Sequence, residues 1–369
     1  MKVALVYDRV NKVGGAEKIL QSLHHIWPDA PLYTSVYDQG RAGWAKDITV
    51  IPSFLQRLPG ARRHHEWLFW AMPIAFETFD FSSFDVVISV SSAEAKGVIT
   101  KPATLHIHYC LTPTKYLYSQ RQLHLKANPL GKIGEIILRR LWHYQTRWDQ
   151  IAAQRADILI SISRAVSQRC QIFYHRASDA VIYPPVDTKP GNAKTVNPLG
   201  KPYYLLVSRL VPSKRVELAI KTFNQLGNPL VIVGIGSQMN DLQNMASANI
   251  IFTGYVSPEK LRQYYQHCLA FIHPGEEDFG IAMVEALSAG KPVIAYQKGG
   301  AGEIIDHGVH GLLFDRPRVS SIMESVVQCQ SRRFSPAVLR KRAARFSRKI
   351  FESTFEQFVR KAWQTHYRV

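Results

Sequence analysis

No run of about 18 apolar residues occurs along the 369 residues, so the sequence offers no candidate for a membrane-spanning helix. The opening apolar stretch, Met1 to Tyr7, is cut off by Asp8. It is too brief for a secretory leader, and the chain is expected to be soluble or peripheral. Cysteine is scarce. Cys110, Cys170, Cys268 and Cys329 lie far apart, with no Cys-x-x-Cys and no histidine cluster at metal spacing. That speaks against a metal site, and four buried reduced thiols suit a cytoplasmic location. Low-complexity tracts are missing too. So are an Asp-x-Asp pair that could hold a divalent cation, a Gly-x-x-x-x-Gly-Lys-Ser/Thr phosphate loop and a Gly-x-Ser-x-Gly nucleophile elbow. Acidic residues are in short supply: 28 Asp plus Glu face 46 Lys plus Arg, a formal charge of +18. Such an excess attracts polyanions, whether nucleic acid, anionic lipid headgroups or phosphorylated substrates.

What is abundant is short apolar runs rich in Val, Ile and Tyr. They lie at 3–7, 85–90, 104–110, 157–162 and 181–183, then at 203–208, 230–233, 249–253, 269–273 and 292–296. Continuous rather than alternating apolarity marks strands buried on both faces of a parallel sheet. Helical patterns between them imply βαβ units, hence an α/β protein of doubly wound, Rossmann-like domains. Pro184-Pro185-Val186-Asp187 stops a strand, and the polar, Pro- and Gly-containing stretch from Thr188 to Pro202 reads as a linker. Two domains are therefore expected, 1–190 and 191–345, with a terminal helix over 346–369 returning towards the first. In such a pair the strand ends face each other across a cleft, the usual ligand position for open α/β sheets.

The densest constellation runs from His273-Pro274-Gly275-Glu276-Glu277-Asp278-Phe279-Gly280 through Ile281 and Glu285-Ala286 to Gly290-Lys291-Pro292. A strand ends at His273, a turn with two glycines follows, and a helix begins near Gly280 and stops at Gly290. Glu277 falls in the turn and Glu285 in the helix. Eight helical steps span roughly 12 Å, so the two carboxylates can reach different parts of one elongated ligand. Exposed amides at the helix start can receive a phosphate or sugar oxygen. A second constellation is Ser208-Arg209-Leu210-Val211-Pro212-Ser213-Lys214-Arg215, where two cations flank a turn at a strand's carboxyl end. Fixed positive charge there suits a diphosphate leaving group, and could do electrostatically what a metal would do. A third is Gly14-Gly15-Ala16-Glu17, between the first strand and the first helix, where paired glycines let a ligand approach the backbone.

Together these segments resemble glycosyltransferase family 4, whose members have the GT-B fold of two Rossmann-like domains facing a cleft and act with retention. The E-x7-E signature matches at Glu277, Phe279, Gly280, Glu285-Ala286, Gly290, Pro292-Val293-Ile294, Gly299-Gly300 and Glu303. The resemblance implies that Glu277 contacts the donor sugar and Glu285 the ribose hydroxyls. It also implies that Phe279, Gly280 and Ile281 bring backbone amides to the sugar and diphosphate. Arg209 and Lys214 resemble the family's diphosphate-binding cations, and Gly14 and Gly15 its first-domain glycine loop. Gly254 and Tyr255, in Phe252-Thr253-Gly254-Tyr255, resemble a strand turn near the nucleotide base. Around Thr112-Pro113-Thr114-Lys115-Tyr116 the chain departs from the pattern, for Leu111 stands where related sequences carry a histidine. His108, His106 and Lys115 remain as acceptor-side or catalytic candidates. The implied reaction is sugar transfer from a nucleoside diphosphate sugar to a hydroxyl, with no metal and no cofactor. GDP-mannose is the first donor expected, UDP-glucose or UDP-N-acetylglucosamine the second, because the subgroup most resembled includes mannosyltransferases of bacterial surface polysaccharide assembly.

Two basic stretches carry tryptophan. Over 54–75 stand Arg57, Arg62-Arg63, Trp67 and Trp70; over 115–156 Lys and Arg outnumber acids and interleave with Ile136, Leu141, Trp142 and Trp148. Cation-plus-Trp segments suit an anionic membrane interface, which leads to a peripheral protein at the inner face of the plasma membrane acting on a lipid-linked glycan or glycolipid. The plain alternative is that 133–142 packs on the first sheet. Two rival functions stay open: a GT-B-fold sugar-nucleotide epimerase, and a nucleic-acid-binding protein, which lacks any base-reading module and is not expected.

Overall fold

In the computed structural model, residues 1–12, 14–62, 64–119, 121, 131–188 and 196–367 are described. The chain divides into two compact units, Met1–Tyr183 with Phe351–Val369, and Pro184–Ile350.

In the first unit the strands are β1 (Val3–Tyr7), β2 (Leu32–Thr34), β3 (Val50–Pro52), β4 (Val86–Ser91), β5 (Leu105–Cys110), β6 (Ile158–Ser161) and β7 (Ala180–Val181). They form one sheet in the order β3-β2-β1-β4-β5-β6-β7, and every pairing is parallel. β1, β4 and β5 are buried at every position, as the continuous apolar runs require of strands covered on both faces. The terminal helix Arg348–His366 lays Phe351, Phe355 and Val359 into this unit, and Phe355 meets Tyr109 edge-on at 5.3 Å.

In the second unit the strands are β8 (Tyr204–Val207), β9 (Leu230–Val233), β10 (Ile250–Gly254), β11 (Phe271–His273), β12 (Val293–Tyr296) and β13 (Gly311–Phe314). Their order is β10-β9-β8-β11-β12-β13, again all parallel. Strand order reverses beside β8 and β11, so the loops leaving their carboxyl ends stand at the topological switch point, where open α/β sheets bind ligands. Pro184 to Val186 count with this unit because Val186 bridges to Ser347 and donates its N–H to the Phe346 carbonyl at 3.0 Å. Of the expected linker, 189–195 lie outside the described residues, as do Arg63 and 122–130 of the basic stretches.

Candidate functional site

The turn after β11 is built by close backbone approach. A Cβ on Gly275 would stand 2.8 Å from the Lys214 carbonyl oxygen, one on Gly299 2.1 Å from that of Glu277, and one on Gly300 2.1 Å from that of Phe279. Only glycine at these positions lets the 275–280 turn lie between the 212–214 turn and the 297–300 loop. The Gly300 N–H donates to the Glu277 carbonyl at 2.9 Å and fixes the level of the turn. Gly280 takes φ of 110° and caps the helix Ile281–Ser288, so the chain reverses sharply with free amides at the helix start. Phe279 points inward and meets Phe346 edge-on at 5.4 Å, which leaves only its backbone to face a ligand.

This packing brings two of the predicted charges together. Lys214 Nζ donates to Glu277 Oε1 at 2.5 Å, with side chains 12% and 22% exposed. Burial raises the carboxyl's pKa, but the Lys214 charge and hydrogen bond and the nearby His273 outweigh it and hold Glu277 below its ordinary value. His273 lies 3.6 Å from the same oxygen, and burial, with the Lys214 charge, holds its imidazole down to about 4. It is therefore neutral at physiological pH. Arg209, at the carboxyl end of β8, is exposed. Glu285, one face along the helix, accepts from the Tyr265 hydroxyl at 3.1 Å, and Tyr265 is buried. Gly254, at φ of 68°, ends β10, and Tyr255 after it is 77% exposed. A carboxylate held ionised beside an ammonium, at the open end of a parallel sheet, offers both an acceptor for hydroxyls and a counter-charge for phosphate. Among the described residues no group of three or more His, Cys, Asp or Glu could hold a metal ion.

In the first unit the glycine loop sits where the sequence places it: Gly14 precedes the helix Gly15–Ile26, and both glycines are exposed. His106 and His108 sit differently from a catalytic pair. Both are buried in β5 and share Ser89, whose Oγ lies 2.8 Å from His106 Nε2 and 3.2 Å from His108 Nδ1. Burial, with nearby cations adding to it, pushes His106 down to about 3 and His108 well below its ordinary value, so both are neutral core residues. Lys115 is half-buried beyond the strand end. The four tryptophans of the two basic stretches also separate. Trp67 and Trp70 are 76% and 56% exposed, whereas Trp142 is buried. Trp148 is half-buried and donates its indole N–H to Glu77 at 2.7 Å. The helix Gly131–Arg155 turns these two rings inward, so that stretch supplies a packed face as well as exposed Arg139 and Arg140.

Sequence reasoning missed a polar network at the carboxyl ends of β1, β4 and β5. Asp8 accepts from Ser91 Oγ at 2.7 Å and from the Ala95 N–H at 2.9 Å. Arg9 donates to Glu94 at 2.6 Å, and Tyr116 to the other oxygen of Glu94 at 2.7 Å. Lys96 is buried against Asp149 and Thr114. The available signal was position: Asp8 and Arg9 directly follow the first buried strand, the edge at which such sheets place ligand groups.

Residues 189–347 match the model of the family described as Glycosyl transferases group 1. A GDP-mannose-dependent alpha-mannosyltransferase of Corynebacterium glutamicum is 40% identical over 110 residues, covering 30% of this chain and 26% of that protein. A GDP-mannose-dependent alpha-(1-6)-phosphatidylinositol monomannoside mannosyltransferase of Mycobacterium tuberculosis is 30% identical over 146 residues, 35% of this chain and 38% of that one. The chain thus matches well under half the length of these two relatives. Solved structures align over nearly the whole chain: Anabaena HepE in complex with UDP at a TM-score of 0.72, with 18% identity and 98% and 100% coverage of this chain and that one. Sucrose-phosphate synthase from Thermosynechococcus elongatus aligns at a TM-score of 0.76, with 16% identity and 99% and 100% coverage. The architecture is therefore the two-domain, Rossmann-like GT-B fold. The second unit carries the glycosyl transferases group 1 match, which includes Arg209, Lys214, Glu277 and Glu285.

Proposed function

We propose that the protein is a retaining, metal-independent glycosyltransferase that moves a hexosyl unit from a nucleoside diphosphate sugar to a hydroxyl acceptor. The Lys214–Glu277 pair carries this reading. The Lys214 ammonium meets the charge that develops on the departing diphosphate, with Arg209 as the exposed second cation, and Glu277 accepts from hydroxyls of the transferred sugar. Glu285 binds the ribose diol, Tyr255 lies by the base, and the amides of Phe279 to Ile281 face sugar and phosphate. His273, the imidazole beside Glu277, is buried and held down to about 4, too weak a base for the task, so the leaving diphosphate itself takes the acceptor proton on the same face of the sugar.

The GDP-mannose dependence of the two mannosyltransferase relatives supports mannose from GDP-mannose as the first donor. The UDP bound by HepE keeps UDP-sugars as the second. The acceptor is a lipid-linked glycan or glycolipid of envelope polysaccharide assembly, met at the cytoplasmic face of the plasma membrane. Exposed Trp67 and Trp70 beside exposed Arg57 and Arg62 support that placement. Among the described residues no helix is long and apolar enough to cross a membrane.

Calorimetric titration with the bare nucleoside diphosphate, alongside turnover, tests the assignment. Glu285→Ala loses a charge-assisted contact of about 1.5–3 kcal/mol and with it nucleotide affinity. Glu277→Ala keeps nucleotide affinity and loses turnover. Wild-type turnover persists in EDTA. Equal losses of nucleotide affinity in the two variants would remove the division of roles, and a chelation loss restored by magnesium or manganese would remove the metal-free scheme.

A further inference from the structure

His273 ends β11 and is buried, yet neither of its ring nitrogens finds a hydrogen-bond partner among the described residues. A neutral imidazole carries one N–H donor and one bare nitrogen, and burying either of them unpaired destabilises a fold. The ring runs nearly parallel to that of Phe271, 12° apart in plane with centroids 6.3 Å apart, a surrounding that suits an apolar ring at this position. Packing therefore gives no reason for a histidine here. The polar atom set towards it is Glu277 Oε1, 3.6 Å from Nε2. That gap is roughly 0.4 Å beyond the usual N–H···O range. Oε1 is also the oxygen to which Lys214 Nζ donates at 2.5 Å. His273 thus stands behind an oxygen that is already taken.

The Lys214 ammonium answers two claims. In the proposed reaction it also meets a diphosphate, which carries more negative charge than one carboxylate and draws the ammonium away from Glu277. The diphosphate and the nearby Asp278 both repel the charge of a carboxylate left without its cation. Such a group takes up a proton or loses its aim unless another donor replaces the lysine. A neutral imidazole with its proton on Nε2 is that donor, because it lends a hydrogen bond and adds no charge to compete for the phosphate. Burial, with the Lys214 charge, keeps His273 neutral at physiological pH. The backbone fixes both groups. His273 pairs with Ala295 of β12, and Glu277 bridges to Gly299 while its carbonyl accepts from the Gly300 N–H. Closing the gap therefore asks only for a rotation of the Glu277 side chain.

We infer that His273 is a positioning residue: when Lys214 turns to the diphosphate, the His273 Nε2–H donates to Glu277 Oε1 and leaves Oε2 for the sugar hydroxyls. This rests on the glycosyltransferase reading. His273→Phe removes the donor, and His273→Gln returns an amide N–H near the place of Nε2. The probes are GDP-mannose, UDP-glucose and UDP-N-acetylglucosamine, turned over with water or n-octyl α-mannoside as acceptor, beside calorimetric titration with GDP and UDP. His273→Phe lowers kcat about tenfold and leaves nucleotide affinity within about twofold of wild type. Its urea midpoint stays level or rises, because buried unpaired nitrogens have gone. His273→Gln recovers kcat to within roughly threefold of wild type. In a Glu277→Ala background His273→Phe has no further effect on residual turnover, since it acts through a carboxylate no longer there. His273→Leu, with the same expected outcomes, replaces the phenylalanine variant if that one does not fold. Unchanged kcat without the imidazole, a glutamine variant no better than the apolar one, or an equal further loss in the Glu277→Ala background overturns the inference. Wild type that turns over none of the three donors is a different result: it removes the glycosyltransferase reading, and this inference with it.

Discussion

The two units share one architecture, a parallel sheet with polar groups at its carboxyl edge, and use those groups in opposite ways. In the first unit Lys96 and Asp149 are 1% exposed and close on each other, with Thr114 Oγ1 accepting from Lys96 at 3.1 Å and the Ala93 carbonyl at 2.5 Å. In the second, Lys214 and Glu277 form an ion pair of similar chemistry on a turn whose glycines pack against neighbouring backbone, with the Lys214 and Glu277 side chains 12% and 22% exposed. A sealed pair is satisfied by the protein alone and serves the fold. A pair that keeps access to water can exchange partners, so the same two residue types can serve as a binding site. Burial, not composition, decides which.

The largest effect that could break this contrast is at Lys96. Lys96→Met leaves Asp149 charged in the interior without its partner, which costs about 3–5 kcal/mol. Lys214→Met leaves Glu277 with access to water, so its stability loss is smaller. Its kcat instead falls on the order of 10²–10³-fold, as expected when a leaving-group charge loses its counter-charge. Urea unfolding of both variants, followed by turnover of each, reads the two quantities. A Lys96→Met protein as stable as wild type, or a Lys214→Met protein less stable than Lys96→Met, would mean that the pairs do not differ in kind.

The contrast also explains what could be read from the sequence and what could not. Ten of the thirteen strands among the described residues were legible as continuous apolar runs, whereas the short β2, β3 and β13 were not. The break was read over 184–202 because Pro184-Pro185 ends a strand and a polar stretch follows. The second unit's candidate residues could be singled out because they are local: His273, Gly275, Glu277, Gly280 and Glu285 lie within one strand–turn–helix, and the glycines mark where backbones must touch. Lys214 and Glu277 are 63 residues apart, yet each sits in a short segment with its own signature. The first unit's network had no such mark. Arg9 meets Glu94 across 85 positions and Lys96 meets Asp149 across 53, and no local pattern announces either pair. The histidines misled because a strand pattern gives alternation but not depth, and both faces of β5 are covered. Trp142 and Trp148 misled similarly: cations around them suggested a surface, but the helix turns those two positions inward.

A smaller effect separates the sealed interior from the open site by pH. His106 is pushed down to about 3 in the folded protein, against about 6.5 when unfolded. Between those values the unfolded chain binds a proton that the folded one refuses. Stability tied to this residue is therefore complete above about pH 6.5 and drains on acidification towards pH 3, by up to about 1.4 kcal/mol per unit. His106→Asn keeps a hydrogen-bonding group for Ser89 without the titration. It should flatten the loss of stability between about pH 7 and pH 5 by one proton's worth. An unchanged slope in urea unfolding would show that His106 can charge in the folded state, and so is less sealed than its burial indicates.

The smallest expected effect lies on the outer surface of the first unit, where neither a sealed nor an open pair is at stake. Trp67 and Trp70 stand exposed on a segment that also exposes Arg57, Arg62, Phe54 and Leu58. Aromatic rings enter the headgroup zone while each basic residue near an anionic surface contributes about 1 kcal/mol, an attraction that salt screens. On the helix Gly131–Arg155, Arg139 already shares its charge with Glu135 at 2.6 Å, so Arg140 is the stronger contributor of the two. Sedimentation with acidic vesicles across a salt series should show wild type binding at low salt and releasing as salt rises. Trp67→Ala with Trp70→Ala should lower binding at every salt concentration, because it removes the apolar part. Arg139→Glu with Arg140→Glu should lower it chiefly at low salt, because it removes the screened part. Nucleotide affinity should not change in either variant, since the residues assigned to the donor's ribose and diphosphate, Glu285, Lys214 and Arg209, belong to the other unit. Wild type that stays in the supernatant with acidic vesicles at low salt would remove the membrane from the proposed function, and the +18 charge would need another anionic partner.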